Sequence, residues 1–264
     1  MPESWVRRCT SGSVKVSTLV MIAAHCVPLN RMGISRRAVV LGGAGLVGAA
    51  GIFGATTPRG RRLLGWTGQD GVVPDVPPVP VQPMPWGAWM GSEGPAVLVL
   101  HGRGGSVQWW QDLGLPQFLH GARFRCAVIN GGDDYWVNLT PPVPFDAALG
   151  VSMGGFGVLD LASRQALKAV AAISPALFPT WDDARRIDGF ASEEIWAWHE
   201  PLRHMASIKS PAGVWCGQED PFHDAAQELA NKVGAAGSFD HGAHDGGYWR
   251  RVLPEALRFI ESRL

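Results

Sequence analysis

The sequence carries no net charge. Lys plus Arg number 23, and so do Asp plus Glu. No stretch gathers basic residues into a stripe, so the electrostatic footprint of a nucleic-acid-binding protein is missing. No H-E-x-x-H and no paired C-x-x-C occurs, which removes the common metal signatures. Cysteine is scarce, at 4 residues in 264. Cys9 and Cys26 fall in an N-terminal leader, and Cys126 and Cys216 fall in stretches that read as strands. In the usual parallel strand order those two strands stand about 19 Å apart. A disulfide needs Cα atoms within about 7 Å, so two free, buried thiols are expected, neither beside an activating base. No internal repeat is visible.

What is present divides into three parts. Ser35-Arg36-Arg37-Ala38-Val39-Val40-Leu41 has the look of a twin-arginine signal, followed by a Gly- and Ala-rich apolar run over 38–55. The expectation is a leader over 1–55 that directs export to the cell envelope or beyond. Cleavage after Phe53-Gly54-Ala55 and retention as a membrane tether both stay open. Met32-Gly33-Ile34 reads as a natural start, with 1–31 as an upstream extension. Residues 56–85, rich in Pro and Gly, read as an extended linker. With 46% hydrophobic residues, the remaining 86–264 suffice for one α/β domain.

The chemistry-bearing pattern is Gly150-Val151-Ser152-Met153-Gly154. It fits a G-x-S-x-G nucleophile elbow, in which a serine sits on a strained strand-to-helix turn. A buried strand ending near Leu149 and a helix opening near Gly155 supply the context, and the helix N-terminus puts positive partial charge beside Ser152. The Val97-Leu98-Val99-Leu100 strand runs into His101-Gly102-Arg103-Gly104-Gly105, so the backbone N–H groups of Arg103 and Met153 are the expected oxyanion donors. Downstream, Asp220 follows the strand Ala212-Cys216, and Pro221 holds it out of helical geometry. Glu219 and Asp224 compete for the acid role, but Asp224 suits the first turn of the next helix. His244 lies in the loop after a strand expected at Ser238-His241 and is the candidate base, with His241 as rival. His101 is expected to brace the oxyanion loop.

The stretches Leu100-His101-Gly102-Arg103-Gly104-Gly105-Ser106, Gly131-Gly132-Asp133-Asp134-Tyr135-Trp136, Ser152-Met153-Gly154-Gly155-Phe156-Gly157 and Ser174-Pro175-Ala176-Leu177 resemble the α/β-hydrolase superfamily. Within it they resemble secreted esterases related to esterase D and the mycolyltransferases, over roughly 96–264. The resemblance implies an α/β-hydrolase fold, a mostly parallel central sheet with helices on both faces. It implies a Ser152–Asp220–His244 triad, a small-molecule or lipid acyl ester as substrate, and no cofactor.

One departure stands out. Between the strand Cys126-Ile129 and the elbow strand, 131–146 must make the whole crossover. Pro141, Pro142 and Pro144 each oppose a helix by about 3 kcal/mol, although an extended chain spans the distance. The sheet face beneath is therefore expected to be partly bare, either as a shared surface in a homo-oligomer or as a destabilising deletion. A non-catalytic envelope protein on the same fold is the alternative function, and an acyltransferase is the other. His101, Trp109, Asp133, Tyr135 and Trp136 are candidate substrate contacts, because loops at this end of a sheet place ligands. Trp110, Trp196 and Trp198 are further candidates for a pocket wall, with core cover as the plainer role. Residues 181–205 read equally as a cap or as surface helices.

Overall fold

The computed structural model describes residue 60 and residues 68–91, 93–131 and 134–264. The leader with Arg36 and Arg37, and the candidate Asp133, lie outside the described residues. Seven strands form one sheet: β1 (Val81–Met84), β2 (Gly87–Met90), β3 (Ala96–Leu100), β4 (Arg125–Ile129), β5 (Ala147–Val151), β6 (Ala169–Ile173) and β7 (Ala212–Trp215), in the order β1-β2-β4-β3-β5-β6-β7. β1 and β2 are antiparallel additions at one edge, and β3 to β7 run parallel. The parallel strands are apolar almost throughout because both faces are covered. Leu98 and Leu100 join one core layer, while Val97 and Val99 join the other, as the two-residue period of a strand requires.

Helices α1 (Val107–Leu113), α2 (Leu115–Phe118) and α7 (Gly246–Glu261) cover the Val97 face, whereas α3 (Met153–Arg164) and α6 (His223–Val233) cover the Leu98 face. Ser106 caps α1 by accepting from the Trp109 N–H, and Asp245 caps α7 by accepting from the Tyr248 N–H, each satisfying one of a helix's unpaired N-terminal donors. Cys126 in β4 and Cys216 just past β7 are free and buried, with three strands between them.

Three expectations need correction. The linker does not run free to residue 85. Val81–Met84 forms the edge strand β1, where Pro83 is tolerated because an edge residue can do without its N–H bond. Gly71 N–H already donates to Gly247 O, and Val79 N–H to Pro116 O. Second, Ser238–His241 is not a regular strand. A single parallel bridge, Gly213 to Ala236, marks the pairing, although Cys216 N–H donates to Ser238 O and Gln218 N–H to Asp240 O. Gly237 takes φ +120° against Val214 O, a backbone turn incompatible with a regular ladder.

Third, the crossover face is not bare. The loop after β4 turns Tyr135 and Trp136 inward, each at positive φ and each only 4% exposed. Val137, Leu139, Val143 and Phe145 pack beside them. Two large aromatic rings replace the missing helix, since they bury as much apolar area as several smaller side chains. Among the described residues, the large hydrophobic side chains left exposed are Val72 and Trp198, neither of them in the crossover.

The 181–207 insert comprises α4 (Trp181–Ala184), α5 (Glu193–His199) and short 3-10 turns, and it packs on α3 and α6. Its anchor is Glu200, fully buried. The carboxylate accepts from the N–H groups of Phe178 and Leu202 and from Trp196 Nε1–H. Burial pushes this carboxyl up to about 8, against the opposing pull of those three donors. A carboxyl raised on folding stabilises the fold fully below its unfolded value near 4.5, and that contribution is lost as pH rises through about 8. Wild-type Tm should therefore fall between pH 5 and pH 8 by more than that of a Glu200→Gln variant, which cannot ionise. Parallel slopes in thermal melts across that window would contradict this assignment.

Candidate active site

The site forms where the parallel strands end. β5 runs into α3 through Ser152, whose φ is 57° and ψ −117°, a conformation that costs a non-glycine residue energy and is held only by its surroundings. Gly154 permits the turn: a Cβ there would lie 2.1 Å from Leu100 O. The strained geometry lifts the Ser152 hydroxyl out of the sheet edge and leaves the Met153 N–H at the start of α3, where no intrahelical acceptor exists. Beside it passes the loop after β3. It approaches so closely that a Cβ on Gly102 would stand 3.3 Å from Ser152 Cβ and 3.8 Å from its Oγ. Among the described residues, neither the Arg103 nor the Met153 N–H donates to a backbone carbonyl.

Two loops from the far side of the sheet complete the arrangement. Ser152 Oγ and His244 Nε2 are 2.9 Å apart. His244 Nδ1 and Asp220 Oδ2 are 2.8 Å apart. A carboxylate only accepts, so Nδ1 carries the imidazole proton and Nε2 accepts from the serine hydroxyl. Asp220 has a fully buried side chain and His244 one that is 23% exposed. The second carboxylate oxygen of Asp220 accepts from the Phe222 N–H at 2.9 Å, which fixes the carboxylate plane.

The competing residues have other partners. Glu219 accepts from the Gly242 N–H and pairs with His241 Nδ1 at 3.1 Å, so both shape the loop that carries His244. Asp224 sits in the first turn of α6. His223 packs on Phe239, and His199 pairs with the buried Asp160. Among the described residues, no group of three or more His, Cys, Asp or Glu side chains could hold a metal ion.

The candidate substrate contacts divide. His101 is buried: Nδ1–H donates to Gly102 O, and Nε2 accepts from the Gly131 N–H. It braces the loop after β3, and its ring is buried away from a substrate. Tyr135 packs against Phe156, Phe178 and Phe190. Trp136 donates from Nε1 to His101 O. Both are core residues, because the crossover needed their bulk. Trp110 and Trp196 are buried as well, and Trp198 stands 70% exposed on α5. Trp109 is half-buried, with its ring against Trp249.

The aromatic rings that do reach the site were not singled out from the sequence. Trp249, in the first turn of α7, lies 5.2 Å from the His244 ring at 89°. Phe222 lies 5.3 Å from it. The available signal was position: one follows the loop of His244 directly, and the other is two residues past Asp220. Phe222 also walls a cavity of about 490 Å³ with Leu177, Phe178, Pro179, Ile187 and Pro221, rimmed by Asp183, Arg186 and Asp224. Ile187 belongs to the insert, and its carbonyl accepts from the Arg103 guanidinium. The insert thus forms one wall of the cavity.

No family model and no curated protein matches the sequence. Solved structures do match. MPT51 (FbpC1) of Mycobacterium tuberculosis is similar at 17% identity over 71% of this chain and 99% of that one, with a TM-score of 0.55. A thermostable esterase from Pseudomonas putida is similar at 15% identity over 80% of this chain and 91% of that one, TM-score 0.52. FphF of Staphylococcus aureus, a fluorophosphonate-binding serine hydrolase, is similar at 14% identity over 64% and 85%, TM-score 0.53. The chain has the α/β-hydrolase fold.

Proposed function

We propose that this chain is a serine hydrolase that cleaves carboxylic esters through a covalent acyl-enzyme. The observation that carries the reading is the continuous line from Ser152 Oγ through His244 to Asp220, with contacts of 2.9 and 2.8 Å. His244 Nε2 takes the hydroxyl proton as Ser152 Oγ attacks the ester carbonyl carbon. Asp220 holds the imidazole in the required tautomer and stabilises its charged form. The carbonyl oxygen becomes an oxyanion facing the Arg103 and Met153 N–H groups, which are positioned before the reaction begins. His244 then returns the proton to the departing alkoxide, the ester C–O bond breaks, and the alcohol leaves. Water, deprotonated by the same imidazole, releases the carboxylic acid and restores Ser152.

The cavity walled by Leu177, Phe178, Ile187 and Phe222 suits an apolar acyl group. The esterase and serine-hydrolase neighbours of the same fold support the reaction class. An alcohol acceptor in place of water would turn the same intermediate into a transfer reaction. Turnover of 4-nitrophenyl acetate, butyrate and octanoate by the purified full chain tests the reading. Hydrolysis of at least one ester, with kcat/KM rising from acetate to the longer chains, is expected. No hydrolysis of any of them by folded protein would count against it.

A further inference from the structure

We infer that Trp249 is a positioning residue for His244, and that Ser174 is the anchor that holds it. The inference rests on the serine-hydrolase reading. An imidazole that shuttles a proton between two oxygens must keep both ring nitrogens aimed, and one hydrogen bond to Asp220 leaves the ring free to rock about that contact. Two aromatic rings prevent this. Phe222 and Trp249 stand 5.3 and 5.2 Å from His244, at 64° and 89° to it. Phe222 is fixed by its own backbone N–H bond to Asp220. Trp249 needs a separate anchor, because it is only partly buried in the first turn of a helix.

Ser174 supplies that anchor. Trp249 Nε1–H donates to Ser174 Oγ at 3.1 Å. Indole nitrogen is only a donor, so the direction of this bond is set. Ser174 follows β6, is completely buried, and is held at φ 47° by its N–H bond to Trp215 O at 2.7 Å. Positive φ is unfavourable for serine, and here it aims the hydroxyl across the strand ends toward the indole. Burial and the Asp220 carboxylate raise the Cys216 thiol above its ordinary range. On its outer side the indole meets Trp109, 5.5 Å away. Trp109 is in the first turn of α1, directly after the oxyanion loop. The indole is therefore fixed between His244 and Trp109.

The test compares Trp249→Phe, Ser174→Ala and the double variant, each in the full chain, with 4-nitrophenyl butyrate as substrate. Both single changes delete the same hydrogen bond and keep an aromatic ring beside His244. Each should lower kcat about three- to tenfold with KM within about twofold, and the double variant should lose no more than the larger single loss. Unchanged kcat, a loss confined to KM, or losses that multiply in the double variant would overturn the inference. Should Ser174→Ala fail to fold, Trp249→Phe decides alone. The downfield Nδ1–H proton resonance of His244 gives a readout without turnover. It should shift and broaden in Trp249→Phe, and an unmoved resonance counts against the anchor whether or not esters are cleaved. An inert wild type with this resonance shift would retire the hydrolase reading and leave the anchor standing.

Discussion

Ser152→Ala should reduce kcat for ester hydrolysis by about 10⁶ while leaving the fold intact. Losing the nucleophile of a triad costs about that much, and further loss of the base adds little because the three residues act as a unit. Here the change removes one oxygen at the end of β5. The turn itself is maintained by neighbours: Ser152 N–H donates to Ile173 O, and Ser152 O accepts from the Phe156 and Ala176 N–H groups. Those backbone bonds do not involve Oγ. Alanine at φ 57° is no better accommodated than serine, so thermal stability should change little. A Ser152→Ala protein that still turned over esters within a hundredfold of wild type would place the reaction elsewhere. One that unfolded would show that the hydroxyl has a structural task absent from these contacts.

Asp220→Asn should lower kcat by about 10⁴, the size of the effect when a triad carboxylate becomes an amide of the same shape. The amide can donate to His244 Nδ1, which favours the tautomer with its proton on Nε2. That tautomer cannot accept from Ser152 Oγ–H. The local cost is modest, because the Phe222 N–H, 2.9 Å from Asp220 Oδ1, keeps an oxygen acceptor if the amide is oriented correctly. The expected signature is therefore a large loss in kcat with KM nearly unchanged. A loss of less than tenfold would mean that the carboxylate does not orient the base, and Glu219 would become the residue to test.

The parts of this arrangement whose placement was legible in the sequence are set by a short local pattern or by order along the chain. A serine between two glycines at a strand-to-helix junction has one common geometric use. Val97-Leu98-Val99-Leu100 followed by His101-Gly102 marks a strand end and a close-passing loop. Asp220 before Pro221, and His244 in a glycine-rich loop, take their meaning from order along the chain. Glycine in a left-handed conformation closes α1 at Gly114 and α6 at Gly234.

The rest depends on contacts between distant segments. Tyr135 and Trp136 follow a strand end, where ligands are expected, yet they turn inward because the proline-bearing crossover offers no helix to cover Phe156 and its neighbours. No pattern in 131–146 distinguishes an aromatic that lines a pocket from one that replaces a helix. Trp249 presents the reverse case. It reads as one more apolar residue of a closing helix, and only the folded chain brings Ser174, His244 and Trp109 around it. The edge strand at Val81–Met84 was hidden by Pro83 and the flanking Pro80 and Pro85, which in sequence look like linker, while in space Pro83 needs only an unpaired edge. The strand expected at Ser238-His241 fails because the positive φ of Gly237 and its approach to Val214 O bend the chain out of register.

The central claim is that Ser152 is a nucleophile activated by His244. Its most direct measurement is the mass of the peptide carrying Ser152 after the folded chain reacts with a fluorophosphonate. The account predicts one phosphonyl adduct on Ser152 in wild-type protein, none in Ser152→Ala, and labelling slowed by orders of magnitude in His244→Ala. An unmodified Ser152 in folded protein, or an adduct that forms equally fast without His244, would contradict it.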